Sequence, residues 1–319
     1  MKKLKRPLII LTGPTAVGKT ALSIKLAKAV DAEIISADSM QVYKKMDIGS
    51  AKIRKGEMEG IPHYLIDELE PDEEFHVAKF QTLAKEYMEE IYAKGKIPFI
   101  VGGTGFYIQA LLYDIDFTKE EGDSSYRTYL EDLVKEKGAD YLHHMLKEVD
   151  EQSAIDIHKN NIKRVIRALE YHHLTGDKMS LHNKEQKKKE SPYEFCYFVL
   201  NDDRDLLYKR IDQRVDDMVA EGLIEEVQRL KDQGYMKDLV SMQGLGYKEI
   251  LSYLDGALTL EESLYILKRD TRHFAKRQLT WFKREKDVIW IDKREFGRED
   301  EQILAEMIHH LKRREILAP

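Results

Sequence analysis

The stretch GPTAVGKT at residues 13–20 is a complete G-x-x-x-x-G-K-[ST] motif, and it sits near the start of this 319-residue chain. An apolar run at residues 8–11 precedes it and a helical pattern at residues 21–30 follows, which is the strand–loop–helix context that the motif requires. The backbone N–H groups of such a loop converge on phosphate oxygens, and the N-terminus of the following helix adds partial positive charge. The motif therefore predicts a site for a diphosphate or triphosphate, with Lys19 on the terminal phosphate and the Thr20 hydroxyl on Mg²⁺.

The composition is that of a large protein without covalent cross-links. Charged residues make up 34% of the chain, which suits exposed helices, and the single cysteine excludes a disulfide framework and a cysteine-based zinc site. The basic first six residues imitate a signal peptide, but the apolar run after them is too short and leads straight into the phosphate loop. No stretch reaches transmembrane length, so we expect a cytoplasmic protein with no membrane partner.

Strand and helix patterns alternate over residues 1–116. Strands are predicted at 8–11, 32–37 and 97–101, with helices at 21–30 and 75–93. This alternation predicts a parallel sheet covered on both faces, with ligands bound at the carboxyl ends of the strands.

The pattern changes near residue 116, after which only helical patterns occur until about residue 192. Beyond them we predict a strand at 195–200, a single long helix at 205–233, another at 260–286, a strand at 288–291 and a C-terminal helix. The fold class predicted is α/β, a P-loop NTPase-like parallel sheet core (1–116 and 197–319) with an inserted all-helical domain (117–196).

Two further segments bring chemistry to the same edge of the sheet. Asp38 ends the second predicted strand, where it is a general base, a metal ligand or the N-cap of a helix. The GGTG sequence at residues 102–105 follows the next strand, and its glycines permit close approach of a ligand. Thr104 would then project into the cleft, unless the glycines only form a tight turn.

The carboxylate that organises Mg²⁺ in P-loop ATPases has no clear counterpart. Asp67 and Asp292 each end an apolar stretch, but the first lies before acidic loop residues and the second lies very late in the chain. This suggests that the bound phosphate does not come from a hydrolysed nucleotide. Arg210 and Arg214 share one helical face and could bind phosphate oxygens, although surface pairs with Asp216, Asp217 or Glu225 are the alternative.

Basic residues cluster in two places. Lys163, Arg164 and Arg167 recur on one helical face of the inserted region, and eight lysines and arginines lie within residues 263–286 beside only two acidic residues. Some aromatic residues of the second cluster are expected in the core. The basic face nevertheless predicts a nucleic-acid partner, despite the net charge of −6.

These segments, taken in order, resemble the tRNA dimethylallyltransferase family. The matching stretches are GPTAVGKT (13–20), SADSMQVYKKMDIGSAK (36–52), HYLIDELEP (63–71), VGGTGFY (101–107), NIKRVIRALE (161–170), IDQRVDDMVAEGLIEEV (211–227), SMQGLGYKE (241–249) and TRHFAKRQLTWFKRE (271–285). Lys44-Lys45-Met46 is a minor departure from the family pattern, and the zinc-binding extension of some eukaryotic members is missing.

The resemblance implies an enzyme that transfers a dimethylallyl group from dimethylallyl diphosphate to N6 of the adenosine 3′-adjacent to the anticodon. Its partners would be the tRNA anticodon stem-loop and dimethylallyl diphosphate, its cofactor Mg²⁺ and its state a monomer. Asp38 would be the general base, Thr104 would position the amine or a diphosphate oxygen, and Arg214 would stabilise the departing diphosphate.

The resemblance also assigns two sets of binding residues. The diphosphate would be bound by Gly13, Thr15, Ala16, Val17, Gly18, Lys19 and Thr20. The tRNA would be contacted by Asp38, Ser39, Met40, Gln41, Thr104, Arg127, Lys163, Arg164, Arg167, Met242, Gln243, Gly244, Leu245, Gly246 and Tyr247.

Two other readings share part of this evidence. A P-loop nucleoside or nucleotide kinase has the same loop and a similarly placed aspartate, but it needs arginines on a lid and a pocket for the donor base. A nucleic-acid motor NTPase would need a clear Walker B carboxylate, which the sequence does not offer.

Overall fold

The computed structural model describes residues 5–117, 124–186 and 188–317. Its described residues contain one six-stranded sheet in which all neighbouring strands are parallel, in the order β3-β2-β4-β1-β5-β6. The strands are β1 (Arg6–Thr12), β2 (Ala32–Ser36), β3 (His63–Tyr64), β4 (Ile97–Val101), β5 (Tyr193–Asn201) and β6 (Val288–Asp292). The predicted α/β class with a parallel sheet is confirmed.

Helices cover both faces of this sheet. They are α1 (Lys19–Val30), α2 (Val77–Ala93) and α3 (Gly105–Leu112), then, after the second unit described below, α9 (Arg204–Ala220), α10 (Leu223–Asp232), α11 (Tyr247–Leu254), α12 (Leu260–Phe282) and α13 (Asp300–Arg313). Ile9 and Leu11 pack with the core side chains of α1 and α13, while Leu8 and Ile10 point to the opposite face because side chains alternate along a strand. Since both faces are buried, β1 is apolar over residues 7–11. No helix in the described ranges combines the length and apolar character needed to cross a bilayer.

The chain divides into two compact units, one containing the sheet and the other spanning Tyr113–Ser191. Within the described residues the second unit has only helices: α4 (Ser124–Lys137), α5 (Ala139–Val149), α6 (Glu151–Asp156), α7 (Ile162–Thr175) and α8 (Met179–Gln186). Leucine, isoleucine and valine side chains of α4, α5 and α7 form its separate core. Residues 193–196, predicted for the inserted domain, instead pair with residues 6–9 of β1 and belong to the sheet.

The prediction of a single helix at 205–233 is wrong, because α9 ends at Ala220 and a separate helix, α10, begins at Leu223. Gly222 has φ 104°, a left-handed conformation that glycine adopts at low cost, and it is the N-cap of α10. The periodicity of apolar residues continues across the break, which is why the pattern suggested one helix. The break redirects α10 and brings its Glu226 to the loop that follows β2.

The two aspartates considered as Walker B carboxylates are both engaged in ion pairs. Asp67 accepts from the buried ammonium of Lys52 at 2.5 Å, just after the two-residue strand β3, which the sequence did not predict. Asp292 binds the Arg294 guanidinium at 2.6 Å. Each carboxylate holds a loop together, so neither resembles the metal ligand of an ATPase.

Candidate active site

The phosphate loop connects β1 to α1 in the conformation that its glycines allow. Gly13 has φ 147° and Gly18 has φ 97°, and a Cβ on Gly13 would lie 2.6 Å from the carbonyl oxygen of Leu200. Ala16 also takes a positive φ of 63°. The loop therefore wraps closely against β5 and ends at the N-terminus of α1, where a bound anion is stabilised.

Lys19 lies over its own loop. Its Nζ donates to the carbonyl oxygens of Gly13 at 3.0 Å and Pro14 at 2.9 Å. Burial and, to a smaller extent, the nearby Arg214 guanidinium lower the pKa of Lys19 to about 8, while Asp38 opposes the shift. An anion at this point would favour the charged ammonium and so reverse the effect of burial. Thr20 follows on the exposed first turn of α1.

Arg210 and Arg214 lie one turn apart on α9 but have different partners. Arg210 donates to the buried carboxylate of Asp202 at 2.9 Å, which also binds Arg298 at 3.0 Å. Arg214 forms no ion pair within the described ranges. The alternative considered from the sequence, a surface pair with Asp216, Asp217 or Glu225, is absent there for both arginines. Burial lowers the pKa of Arg214, and the negative charge of Asp38 partly restores it. Lys19, Arg214 and Asp38 thus act on one another electrostatically.

Asp38 follows β2 and closes a turn. Its Oδ1 accepts from the backbone N–H of Met40 at 2.9 Å, and no helix begins there, so the helix N-cap interpretation is wrong. The N–H of Thr104 donates to the carbonyl oxygen of Ala37 at 3.1 Å. Gly102 packs so closely on the backbone of Ala37 that a Cβ would collide with it. The loops after β2 and β4 therefore interlock and bring Thr104 beside Asp38.

Two of the segments predicted to contact RNA lie side by side. Gly244 packs on the side chain of Met40, and the ring of Tyr247 covers Gly49, where a Cβ would lie 2.6 Å from the ring. Ser39 and Gln41 are half-buried and Gln243 is exposed, whereas Met242 and Tyr247 are fully buried. The buried members therefore shape this surface from beneath rather than touch a ligand. Leu245 and Gly246 complete the same turn, which leads into α11.

In the second unit, Lys163 and Arg164 are exposed on the first turn of α7. Arg127 donates twice, at 2.8 Å each, to the carboxylate of Glu170, which is itself buried. Arg167 lies 3.9 Å from the same carboxylate. Arg127 and Arg167 thus hold an internal charge, and their contact with RNA remains a prediction.

The basic cluster predicted at residues 263–286 covers α12 and the turn that follows it, and its two halves differ. In its first half, Lys268 pairs with Asp216, Arg272 with Asp212 and Arg269 with Asp270. In its second half five exposed basic residues have no carboxylate partner among the described residues: Lys276, Arg277, Lys283, Arg284 and Lys286. Three of the first-half charges are thus neutralised within the protein, and the uncompensated charge lies in the second half.

Two buried polar residues of the site were not predicted from the sequence. Glu226 lies on the apolar face of α10 between Leu223 and Leu230, and Gln278 lies on the buried face of α12 between Ala275 and Phe282. A polar residue at the apolar spacing of a helix was the signal that could have revealed both. Each one binds a loop of the site, as described below.

A phosphate loop at the carboxyl edge of a parallel sheet, with a carboxylate on the loop after β2 at the same edge, defines a P-loop α/β enzyme. A family profile described as IPP transferase matches residues 41–285. The chain belongs to this family.

Close relatives are similar to the chain over nearly its whole length. It is 62% identical to the tRNA dimethylallyltransferase of Lachnoclostridium phytofermentans, covering 98% of this chain and 99% of that protein. Identity to the enzyme of the same name from Clostridioides difficile is 54% over the same shares. The resemblance stated from the sequence is confirmed.

Solved structures agree with these relatives. The full-length tRNA isopentenylpyrophosphate transferase of Bacillus halodurans superposes with a TM-score of 0.73 at 45% identity, covering 98% of both chains. A eukaryotic dimethylallyltransferase acting on tRNA gives a TM-score of 0.79 at 32% identity, covering 90% of this chain and 74% of that one. The likeness supports a tRNA prenyltransferase rather than a kinase.

Proposed function

We propose that the protein transfers a dimethylallyl group from dimethylallyl diphosphate to N6 of the adenosine 3′-adjacent to the anticodon in tRNA, releasing diphosphate. The observation that carries the proposal is the electrostatic grouping of Lys19 and Arg214 with the carboxylate of Asp38. Two cations suit a departing diphosphate, and a carboxylate beside them suits an amine that must lose a proton.

The phosphate loop binds the leaving group in this reaction. As the allylic C–O bond breaks, its electron pair moves onto the diphosphate, whose negative charge grows. In this proposal the N–H groups of the loop, Lys19 and Arg214 bind that charge, because fixed donors and cations lower a barrier most where charge develops.

Asp38 receives the proton of the nucleophile. The lone pair of the adenine N6 forms the new bond to carbon, and the nitrogen becomes acidic as it does so. General-base catalysis of this kind contributes about 10²–10⁴-fold. Thr104, held beside Asp38 by its backbone bond to Ala37, positions the amine or a diphosphate oxygen through its hydroxyl.

The donors around Thr20 fit a Mg²⁺ ion that is bound mainly through the substrate. The Thr20 hydroxyl is exposed at the start of α1, and no group of three or more metal-binding side chains occurs in the described parts of the chain. Mg²⁺ commonly takes few protein ligands and completes its shell with substrate phosphates and water. When bound, the ion would neutralise part of the diphosphate charge.

RNA recognition in this proposal relies on exposed and half-buried residues of several segments. The adenine must leave its stack to reach Asp38, as in other enzymes that modify bases. We assign contact with the anticodon stem-loop to Ser39–Gln41, to Gln243 and its neighbours, to Lys163 and Arg164, and to the second half of the α12 cluster. We also propose that the protein acts as a monomer in the cytoplasm.

The substitution Asp38→Asn tests the proposal. Asparagine keeps an oxygen to accept from Met40 N–H, so the turn is retained while the base is removed. We expect the transfer of label from dimethylallyl diphosphate to unmodified tRNA to fall by at least about 10²-fold. The affinity for the diphosphate should stay within a few-fold. If the protein moved phosphate from labelled ATP instead, the kinase reading would replace this one.

Substitution of exposed basic residues on α7 tests the proposed RNA surface. The double variant Lys163→Ala with Arg164→Ala should weaken tRNA binding. It should also make the salt dependence of the affinity shallower, because about one to two fewer counterions are released on binding. Lys147→Ala, on the exposed surface of α5 in the same unit, is the matched control. An unchanged salt slope in the double variant would remove α7 from the interface.

A further inference from the structure

The side chain of Gln278 joins the two loops of the site. Its Oε1 accepts from the backbone N–H of Thr15 at 2.9 Å, and its Nε2 donates to the carbonyl oxygen of Gly103 at 3.0 Å. Because an N–H only donates and a carbonyl only accepts, these two partners fix the orientation of the amide. Gln278 is almost completely buried, so it is not itself available to a substrate.

The loop after β4 has room for this bridge because it carries a glycine at residue 103. A Cβ on Gly103 would collide with Nε2 of Gln278, so the close approach of the amide requires glycine there. Gly103 has no positive φ, and its lack of a side chain serves packing rather than backbone conformation.

The bridge extends to the residues that face the nucleophile. Gly103 is followed by Thr104, whose N–H binds the carbonyl oxygen of Ala37, and Ala37 is followed by Asp38. On the other side, Thr15 belongs to the loop whose Gly13 and Pro14 carbonyls hold Lys19. A short series of hydrogen bonds thus connects the diphosphate loop with the general base.

We propose that Gln278 is a positioning residue that sets the distance between the leaving diphosphate and the attacking amine. The inference rests on the proposed function. A transfer between two substrates requires reacting atoms about 3–3.5 Å apart, and a misplacement of about 1 Å can cost about 10²-fold in rate. The loops of Thr15 and Gly103 follow β1 and β4, whose ends are already bonded through Gly102 N–H to Leu11 and through the Thr12 hydroxyl to Gly102. Gln278 adds a link from α12 beyond that point, between the loops themselves.

The first variant is Gln278→Leu, which has a similar size but cannot bind either loop. We expect the single-turnover rate of dimethylallyl transfer to fall by about 10²-fold. The dissociation constants for dimethylallyl diphosphate and for tRNA, each measured alone, should stay within about threefold, because each half-site remains intact. Gln228→Leu, on α10, removes a glutamine that donates to Asp232 in its own helix and is the matched control.

The second variant, Gly103→Ala, disrupts the same contact from the side of the Gly103 loop, because the added Cβ would collide with the Gln278 amide. If both substitutions act through the bridge, the double variant should be no slower than the slower single variant. Multiplied rate losses would show independent effects and overturn the inference.

The third variant, Gln278→Glu, should make the transfer rate depend on pH. It also tests the bridge if the Gln278→Leu variant does not fold. A carboxylate would face the Gly103 carbonyl oxygen and repel it, whereas a protonated carboxyl group can donate to that oxygen and accept from Thr15. The rate relative to the wild type should therefore rise as the pH is lowered from 8 to 6. A pH-independent ratio would contradict the bridge.

The remaining outcomes separate this inference from the proposed function. Rates within threefold of the wild type in all variants would overturn the inference and leave the function intact. A loss of diphosphate affinity equal to the loss of rate would make Gln278 a binding residue and overturn it as well. A wild-type protein that moves no label to tRNA would refute the proposed function, whatever the variants do.

Discussion

The hydroxyl of Tyr247 donates a hydrogen bond of 2.8 Å to the buried carboxylate of Glu226. The same carboxylate accepts from three consecutive backbone N–H groups, those of Asp47, Ile48 and Gly49, at 2.8–3.0 Å. Four donors satisfy the charge of one side chain, which compensates for its burial. Glu226 thereby joins the loop after β2 to the start of α11, and both adjoin the proposed RNA surface.

Glu226→Gln should destabilise the protein, because an amide nitrogen cannot accept from a backbone N–H. We expect a loss of about 2–3 kcal/mol in the free energy of unfolding, and about 1 kcal/mol for Tyr247→Phe. Denaturant unfolding measures both values. Glu225→Gln, exposed on the same helix, should change stability little. Equal effects of the substitutions at residues 225 and 226 would contradict the role given to the buried carboxylate.

Arg210 and Arg214 form a matched pair of arginines on one helix. Arg214→Ala should lower the rate of transfer at saturating substrates by about 10²–10³-fold, since it removes a cation facing the leaving group. Arg210→Ala should instead lower stability by about 1–3 kcal/mol, because Asp202 stays buried with only Arg298 as a charged partner. Single-turnover kinetics and thermal unfolding of both variants check this division. The reverse result would move the catalytic cation to Arg210.

The lowered pKa of Lys19 predicts how diphosphate binding depends on pH. Lys19 loses its proton as the pH rises through about 8, and the bound anion favours the charged form. The affinity for dimethylallyl diphosphate should therefore fall above pH 8, by up to about tenfold per pH unit, with uptake of a proton on binding.

Calorimetry in two buffers of different ionisation enthalpy measures that proton. Lys19→Arg should abolish the uptake, because arginine is charged throughout this range. A wild-type affinity that stays constant up to pH 9.5 would contradict the burial argument.

Glu285 supplies a prediction about stability. Burial raises the pKa of Glu285 to about 7, against the opposing effect of the Trp281 indole, and its Oε1 accepts from Gln109 at 3.2 Å. The folded state keeps a proton that the unfolded state releases from about pH 4.5 upward. Stability due to this group should therefore decrease as the pH rises toward 7 and stay low above it.

The neutral substitution Glu285→Gln should raise the melting temperature by about 2–4 °C at pH 8. The gain should shrink at pH 5 and vanish below pH 4.5, as thermal unfolding at the three pH values would show. Glu86→Gln, at an exposed position of α2, is the control. A gain that does not depend on pH would mean that the Glu285 carboxyl is ionised like any surface group.

Most of the architecture could be read from local patterns. The apolar run of β1 and the GPTAVGKT motif are contiguous, so their periodicity and glycine spacing predicted the strand, the loop and α1 correctly. The same reasoning joined α9 and α10, because a single left-handed glycine interrupts a helix without interrupting its apolar period. It also assigned residues 193–196 to the inserted region, although the strand predicted at 195–200 overlaps them, since the pairing of that strand with β1 leaves no local signal.

The sequence by itself determined the phosphate loop, the parallel sheet and the identity of the polar residues at its carboxyl edge, because these follow from short-range spacing. Tertiary structure alone decided which of two equivalent arginines faces Asp38, and that Glu226 and Gln278 bind the loops of the site. Gln278 and Thr15 are 263 positions apart along the chain. No local pattern encodes such a contact, because it exists only once α12 packs against the loops of β1 and β4.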